Sequence, residues 1–122
     1  MVRVFLDTFA IMEIIKGNES YAKHLDSELF TSLLNLYEMY YNLLKVMDEK
    51  ESKDKFFQFK QFLTPINDSH IFLASEFRRK SARLKLSYVD ALGYSIAKEE
   101  GMKFLTGDRA FEGMDNVEFV KG

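Results

Sequence analysis

At 122 residues the chain has the length of one domain and can bury a core large enough to fold without staples. It has no Cys, which excludes disulfides, thiolate metal sites and cysteine nucleophiles. Its 17 basic and 19 acidic residues give a formal charge of −2, unlike the basic excess of a general nucleic-acid binder, and 47% hydrophobic content marks a globular chain.

Val2, Val4 and Leu6, with Phe5 between them, predict a short buried strand. Asp7 breaks this apolar opening, and no later run approaches a membrane span, so the expectation is a soluble cytoplasmic protein without a membrane partner. Asp7-Thr8 opens a helical pattern through Phe9, Ile11, Met12, Ile14 and Ile15 that stops at Gly17. A short helix around Tyr21–Leu25 and a brief strand at Leu29–Thr31 follow. Ser32 to about Glu49 reads as one long, largely buried helix, then Ser52–Phe62 as another, then Leu63–Ile66 as a short strand. Asp68-Ser69 opens a helix reaching Leu84, and Ser87-Tyr-Val-Asp90 opens the next, ending near Gly101. Met102–Leu105 is a strand with Thr106-Gly-Asp108 as its exit, Arg109–Glu112 a helical turn, and Val117–Val120 a last strand near an edge. The reading is a single domain over residues 1–122 in the α/β class: a mainly parallel central sheet with helices on both faces.

A parallel sheet collects the C-terminal ends of its strands at one rim, where ligands bind. Asp7 and Asp108 each follow a strand, and Asp90 lies near the N-terminus of a helix leading into the second of them. Each acid has a structural reading as a helix cap. Independent caps have no reason to share a rim, however, whereas this topology gathers all three. Glu38 shares a stripe with Asn35, Asn42 and Lys45, the polar side of an otherwise apolar helix. That stripe faces either solvent or an internal polar cleft. Clustered carboxylates repel unless a cation neutralises them. Oxygen ligands without Cys suit Mg²⁺ or Mn²⁺, whose chemistry with phosphate esters is assisted hydrolysis.

Phe5-Leu6-Asp7-Thr8, Thr31-Ser32-Leu-Leu-Asn-Leu-Tyr37-Glu38, Asp90-Ala91-Leu92 and Leu105-Thr106-Gly107-Asp108-Arg109-Ala-Phe111 resemble, in order and spacing, the four motifs of the PIN-domain ribonucleases. The size and layout are similar to the VapC toxins of toxin–antitoxin pairs. The resemblance implies a three-layer α/β/α sandwich and a Mg²⁺ or Mn²⁺ site built from Asp7, Glu38, Asp90 and Asp108, with Thr8 and Thr106 in support. It also implies endoribonuclease activity on RNA, a homodimer and a cognate antitoxin. Asp115 or Asn116 is the candidate for a further position that the family often carries beyond the fourth motif.

Arg78, Arg79, Lys80, Arg83 and Lys85 crowd one helix end, a solvated face or a track for RNA phosphates, and Arg109 is a further candidate. Phe56, Phe57, Phe59 and Phe62 read as core or interface rather than base-stacking residues, and His24 and His70 as structural. The competing readings are a non-catalytic RNA- or protein-binding module with a degenerate acidic site, and an enzyme acting on DNA flaps, for which the chain is short.

Overall fold

Four short parallel strands form the centre of the computed structural model, which describes residues 1–122: β1 (Arg3–Leu6), β2 (Glu28–Phe30), β3 (Lys103–Thr106) and β4 (Val117–Phe119). Their spatial order is β2-β1-β3-β4, with Leu6 level with Leu105 and Thr106 level with Phe119. Alternation along the strands sends neighbouring side chains to opposite faces. Phe5 and Phe104 enter one core with Leu92, Tyr94, Ile96 and Phe111, under helices α5 (Asp68–Lys80) and α6 (Tyr88–Glu99). Val4, Leu6 and Leu105 enter the other with Ile11, Leu36, Met39 and Leu43, under α1 (Thr8–Lys16), α3 (Leu33–Leu43) and α4 (Glu49–Lys60). The short α2 (Glu19–Ala22) places Tyr21 in this second core. The result is the expected three-layer α/β/α sandwich around a parallel sheet. No helix is long and apolar enough to cross a membrane.

Three element boundaries differ from the sequence reading. The long helix expected over Ser32–Glu49 ends at Leu43, because Asp48 caps a new helix by accepting the Glu51 N–H, and α4 therefore starts before Ser52. Nor is α3 largely buried. Leu36, Met39 and Leu43 face the core, whereas Leu33, Tyr37 and Tyr41 are exposed. Leu63–Ile66 forms a single bridge between Leu63 and Thr31 rather than a strand. Pro65 has no N–H to extend that pairing. The helix expected to reach Leu84 stops at Lys80, and a separate 3₁₀ turn spans Ala82–Leu84.

The sheet order reverses between β1 and β3, since β2 lies on one side of β1 and the later strands on the other. A crevice opens outside the strand ends at such a reversal. Helix α6 lies close against the sheet there, because Gly93 has no side chain: a Cβ would stand 2.9 Å from the Phe5 ring.

Candidate active site

Asp7 leaves β1 directly into the crevice. Its N–H donates to the Leu105 carbonyl at 3.3 Å, tying the exits of β1 and β3 together. One of its carboxylate oxygens caps α1, accepting the Ala10 N–H at 2.7 Å. Across the crevice, Thr106-Gly107-Asp108 carries the chain out of the end of β3. Gly107 is required by close approach, since a Cβ would lie 2.6 Å from the Val120 carbonyl oxygen and 2.2 Å from the Phe9 ring. Asp108 caps the turn Arg109–Phe111 through the Ala110 N–H at 3.0 Å, and its own N–H donates to the Thr106 hydroxyl oxygen. Asp90 closes a capping box with Ser87 at the start of α6. Asp7 and Asp108 are therefore N-caps, and Asp90 is the third residue of a capping box whose cap is Ser87.

Asp7 is 3% exposed, and no cation pairs with it, with Glu38, with Asp90 or with Asp108. Burial pushes the Asp7 carboxyl up to about 7. The negative fields of Asp90 and Asp108 add to that rise, and hydrogen bonds from Thr106 and Ala10 oppose it. Half-buried Asp90 is also raised, by burial first and then by Asp108. The three aspartates thus form one electrostatic unit.

Glu38 joins through a hydroxyl. The Thr8 side chain donates to its Oε1 at 2.6 Å and accepts from the buried Asn35 amide at 3.1 Å. The polar stripe of α3 therefore meets Thr8, the residue after Asp7, through Asn35 and Glu38, and ends in solvent at Lys45, over the Tyr41 ring. The sequence gives Asn35 no role beyond its place on that stripe. Its spacing of three from both the cap Ser32 and Glu38 was the available signal. No three of the four carboxylates bring an oxygen within 4.8 Å of one another.

Asp115 and Asn116 lie elsewhere. Asp115 pairs with Lys98 at 3.2 Å, and the Asn116 amide donates to the Met102 carbonyl at the start of β3, at the far end of the sheet. His70, Glu99 and Glu100 do converge within 4.8 Å, also at that far end. There His70 Nδ1 accepts the Asn67 N–H at 2.9 Å, which leaves the neutral ring's proton on Nε2, facing Glu100 at 2.9 Å and Glu99 at 3.1 Å. Neither ring nitrogen has a lone pair free for a metal.

Among the arginines, Arg79 is forked onto Glu76 and Arg109 pairs with Glu112 at 3.1 Å, while Arg83 is exposed. Arg78 has no acidic partner. Phe59 is in the core with Phe56 and Phe62 packed against it, and Phe57 is exposed.

A parallel α/β/α fold with unpaired acids at its topological switch defines the class as an α/β protein with an acidic crevice. The PIN domain family model matches residues 4–117, and the chain belongs to that family. A toxin–antitoxin complex from Klebsiella pneumoniae aligns with a TM-score of 0.77 at 17% identity, over 98% of this chain and 99% of that one. A VapBC complex of Rickettsia felis bound to promoter DNA aligns at 0.76 and 21%, over 98% of each chain. A sarcin–ricin-loop-cleaving VapC toxin of Mycobacterium tuberculosis aligns at 0.73 and 15%, over 93% of this chain and 98% of that one. No curated protein matches the sequence.

Proposed function

We propose that the protein is a metal-dependent endoribonuclease and the toxin of a VapBC-type pair, acting on RNA in the cytoplasm. The observation that carries this reading is Asp7, buried without a cation beside two further aspartates. A fold does not retain such a cluster for stability, because each acid raises the cost of ionising the others. The donor set is all oxygen and suits Mg²⁺ or Mn²⁺. Asp7, Asp90 and Asp108 would hold the ion, and Glu38 would act from the Thr8 side. The width of the cluster suits an ion that keeps several of its own waters. When bound, such an ion supplies a lowered water pKa and charge stabilisation at the phosphate.

The chain's own residues perform the positioning. The Ala10 N–H and the Thr106 hydroxyl fix the Asp7 carboxylate. The Thr8 hydroxyl holds Glu38 and is itself held by the Asn35 amide. These supports limit the reorganisation that binding requires. The buried Asp7 must lose its proton when a cation binds.

The groove between α3 and α4, about 510 Å³ and lined by Leu33, Leu34, Tyr37, Tyr40 and Phe57, offers apolar area for the antitoxin. A homodimer would cover further exposed apolar residues such as Phe72.

Calorimetric titration with Mn²⁺ tests the site without RNA. Saturable binding is expected for the wild type, tightening as pH rises through about 7 and lost in Asp108→Asn. No saturable heat in the wild type would favour the non-catalytic binding module.

A further inference from the structure

A second groove, about 480 Å³, runs between α3, α5 and α6, and Leu34, Ile71, Ala74, Arg78, Tyr88 and Ala91 are among its lining. It adjoins the acidic crevice on two elements. Leu34 stands one turn before Glu38 on the same face of α3, and Tyr88 and Ala91 flank Asp90 in α6.

One cation in this groove is held as a fixed device. Arg78 Nε donates to the Leu86 carbonyl at 2.9 Å, and its guanidinium lies 4.0 Å from the centre of the Tyr88 ring. Stacking and one anchor restrain its long side chain. Its two terminal amino groups have no protein acceptor, and it makes no ion pair. The guanidinium therefore lines the groove with its two terminal amino groups open to a ligand. Arg79, its neighbour in sequence, is committed to Glu76. Tyr88 itself is 75% exposed, so its ring is open to a ligand from solvent.

Resting on the reading of the acidic crevice as the site of RNA cleavage, we propose that this groove holds the nucleotide next to the scissile phosphate. The Arg78–Tyr88 pair grips that nucleotide's own phosphate. The free amino groups of Arg78 form a fork matched to two phosphate oxygens. The aliphatic wall of Leu34, Ile71 and Ala91 takes the sugar and base without reading sequence. Arg78 is thus a positioning residue, which sets the register of the strand over the aspartates.

The test is binding of a short, end-labelled single-stranded RNA of mixed sequence, followed by fluorescence anisotropy in chelator so that no cleavage occurs. Arg78→Ala is expected to weaken binding about tenfold and to lower the salt slope by about 0.7, the loss of one phosphate contact on a single strand. Arg78→Lys, which keeps the charge but not the fork or the stack, should also weaken binding severalfold. Tyr88→Phe should bind like the wild type and Tyr88→Ala should not. Lys50→Ala, which removes an equal charge on α4, is the control and should bind like the wild type. Melting curves establish that each variant folds. Wild-type binding by Arg78→Ala, or an equal loss in Lys50→Ala, would overturn the proposal. A wild type that binds RNA through Arg78 but never cleaves it with metal would leave the groove standing and remove the nuclease reading. Cleavage with unaltered rate and affinity in Arg78→Ala would do the reverse.

Discussion

Asp7 carries two roles on one carboxylate. As a cap it stabilises the start of α1, and as a buried charge it opposes folding. The folded side chain titrates near 7 instead of its ordinary 3.8. Between those values the folded chain keeps a proton that the unfolded chain has lost. Stability therefore falls as pH rises through this window and levels off above it. The full shift corresponds to a cost on the order of 4 kcal/mol. Asn caps helices as well as Asp does and carries no charge. In metal-free buffer Asp7→Asn should melt with the wild type near pH 4 and several degrees above it at neutral pH. Equal melting temperatures at pH 7 would show that the carboxylate is not under strain. The capping role of Asp7 was legible in the sequence because Asp-Thr directly precedes a helical period. The size of its burial was not, since it depends on Leu105 and Thr106, almost a hundred residues away.

At the scale of elements, apolar runs and caps made most of the order of strands and helices legible. The boundaries that failed did so for local reasons. Leu44 and Met47 continue the apolar period of α3, so nothing in the pattern announces its end, and the Asp48 cap decides it. Leu63–Ile66 has a strand's composition, but Pro65 removes the donor that a ladder needs. The cap of α5 is Asn67, one residue before the expected Asp68-Ser69, and the His70 ring accepts the Asn67 N–H. His70 is 1% exposed and also links α5 to Glu99 and Glu100 at the end of α6. Its structural reading therefore has a specific content: it joins both helices of one layer. His70→Ala should leave the Asn67 N–H without its acceptor and cost about 1–3 kcal/mol in urea unfolding. An unchanged midpoint would mean that solvent replaces both contacts.

Over the whole molecule, topology made the acidic crevice legible. Parallel strands with helical crossovers bring their C-terminal ends to one side, so Asp7 and Asp108 had to share a rim once their strands were recognised. Glu38 was less legible, because a polar stripe reads the same whether it faces solvent or a cleft. In the fold Glu38 accepts the Thr8 hydroxyl at 2.6 Å and Thr8 accepts the Asn35 amide at 3.1 Å, so the stripe meets the residue that follows Asp7. The net charge of −2 first reads as evidence against nucleic acid. If the four crevice acids hold cations, the rest of the chain has 15 acids against 17 bases, and a local basic groove beside the crevice is compatible with an RNA strand.

The central claim is that this crevice cuts RNA with a divalent cation. The most direct measurement is cleavage of a total cellular RNA preparation, with Mg²⁺ or Mn²⁺ and with chelator, by the wild type and by Asp7→Asn. Discrete fragments are expected only from the wild type with metal, while Asp7→Asn, folded and at least as stable, leaves the RNA intact. Full metal-dependent cleavage by Asp7→Asn, or cleavage by the wild type in chelator, would contradict the account.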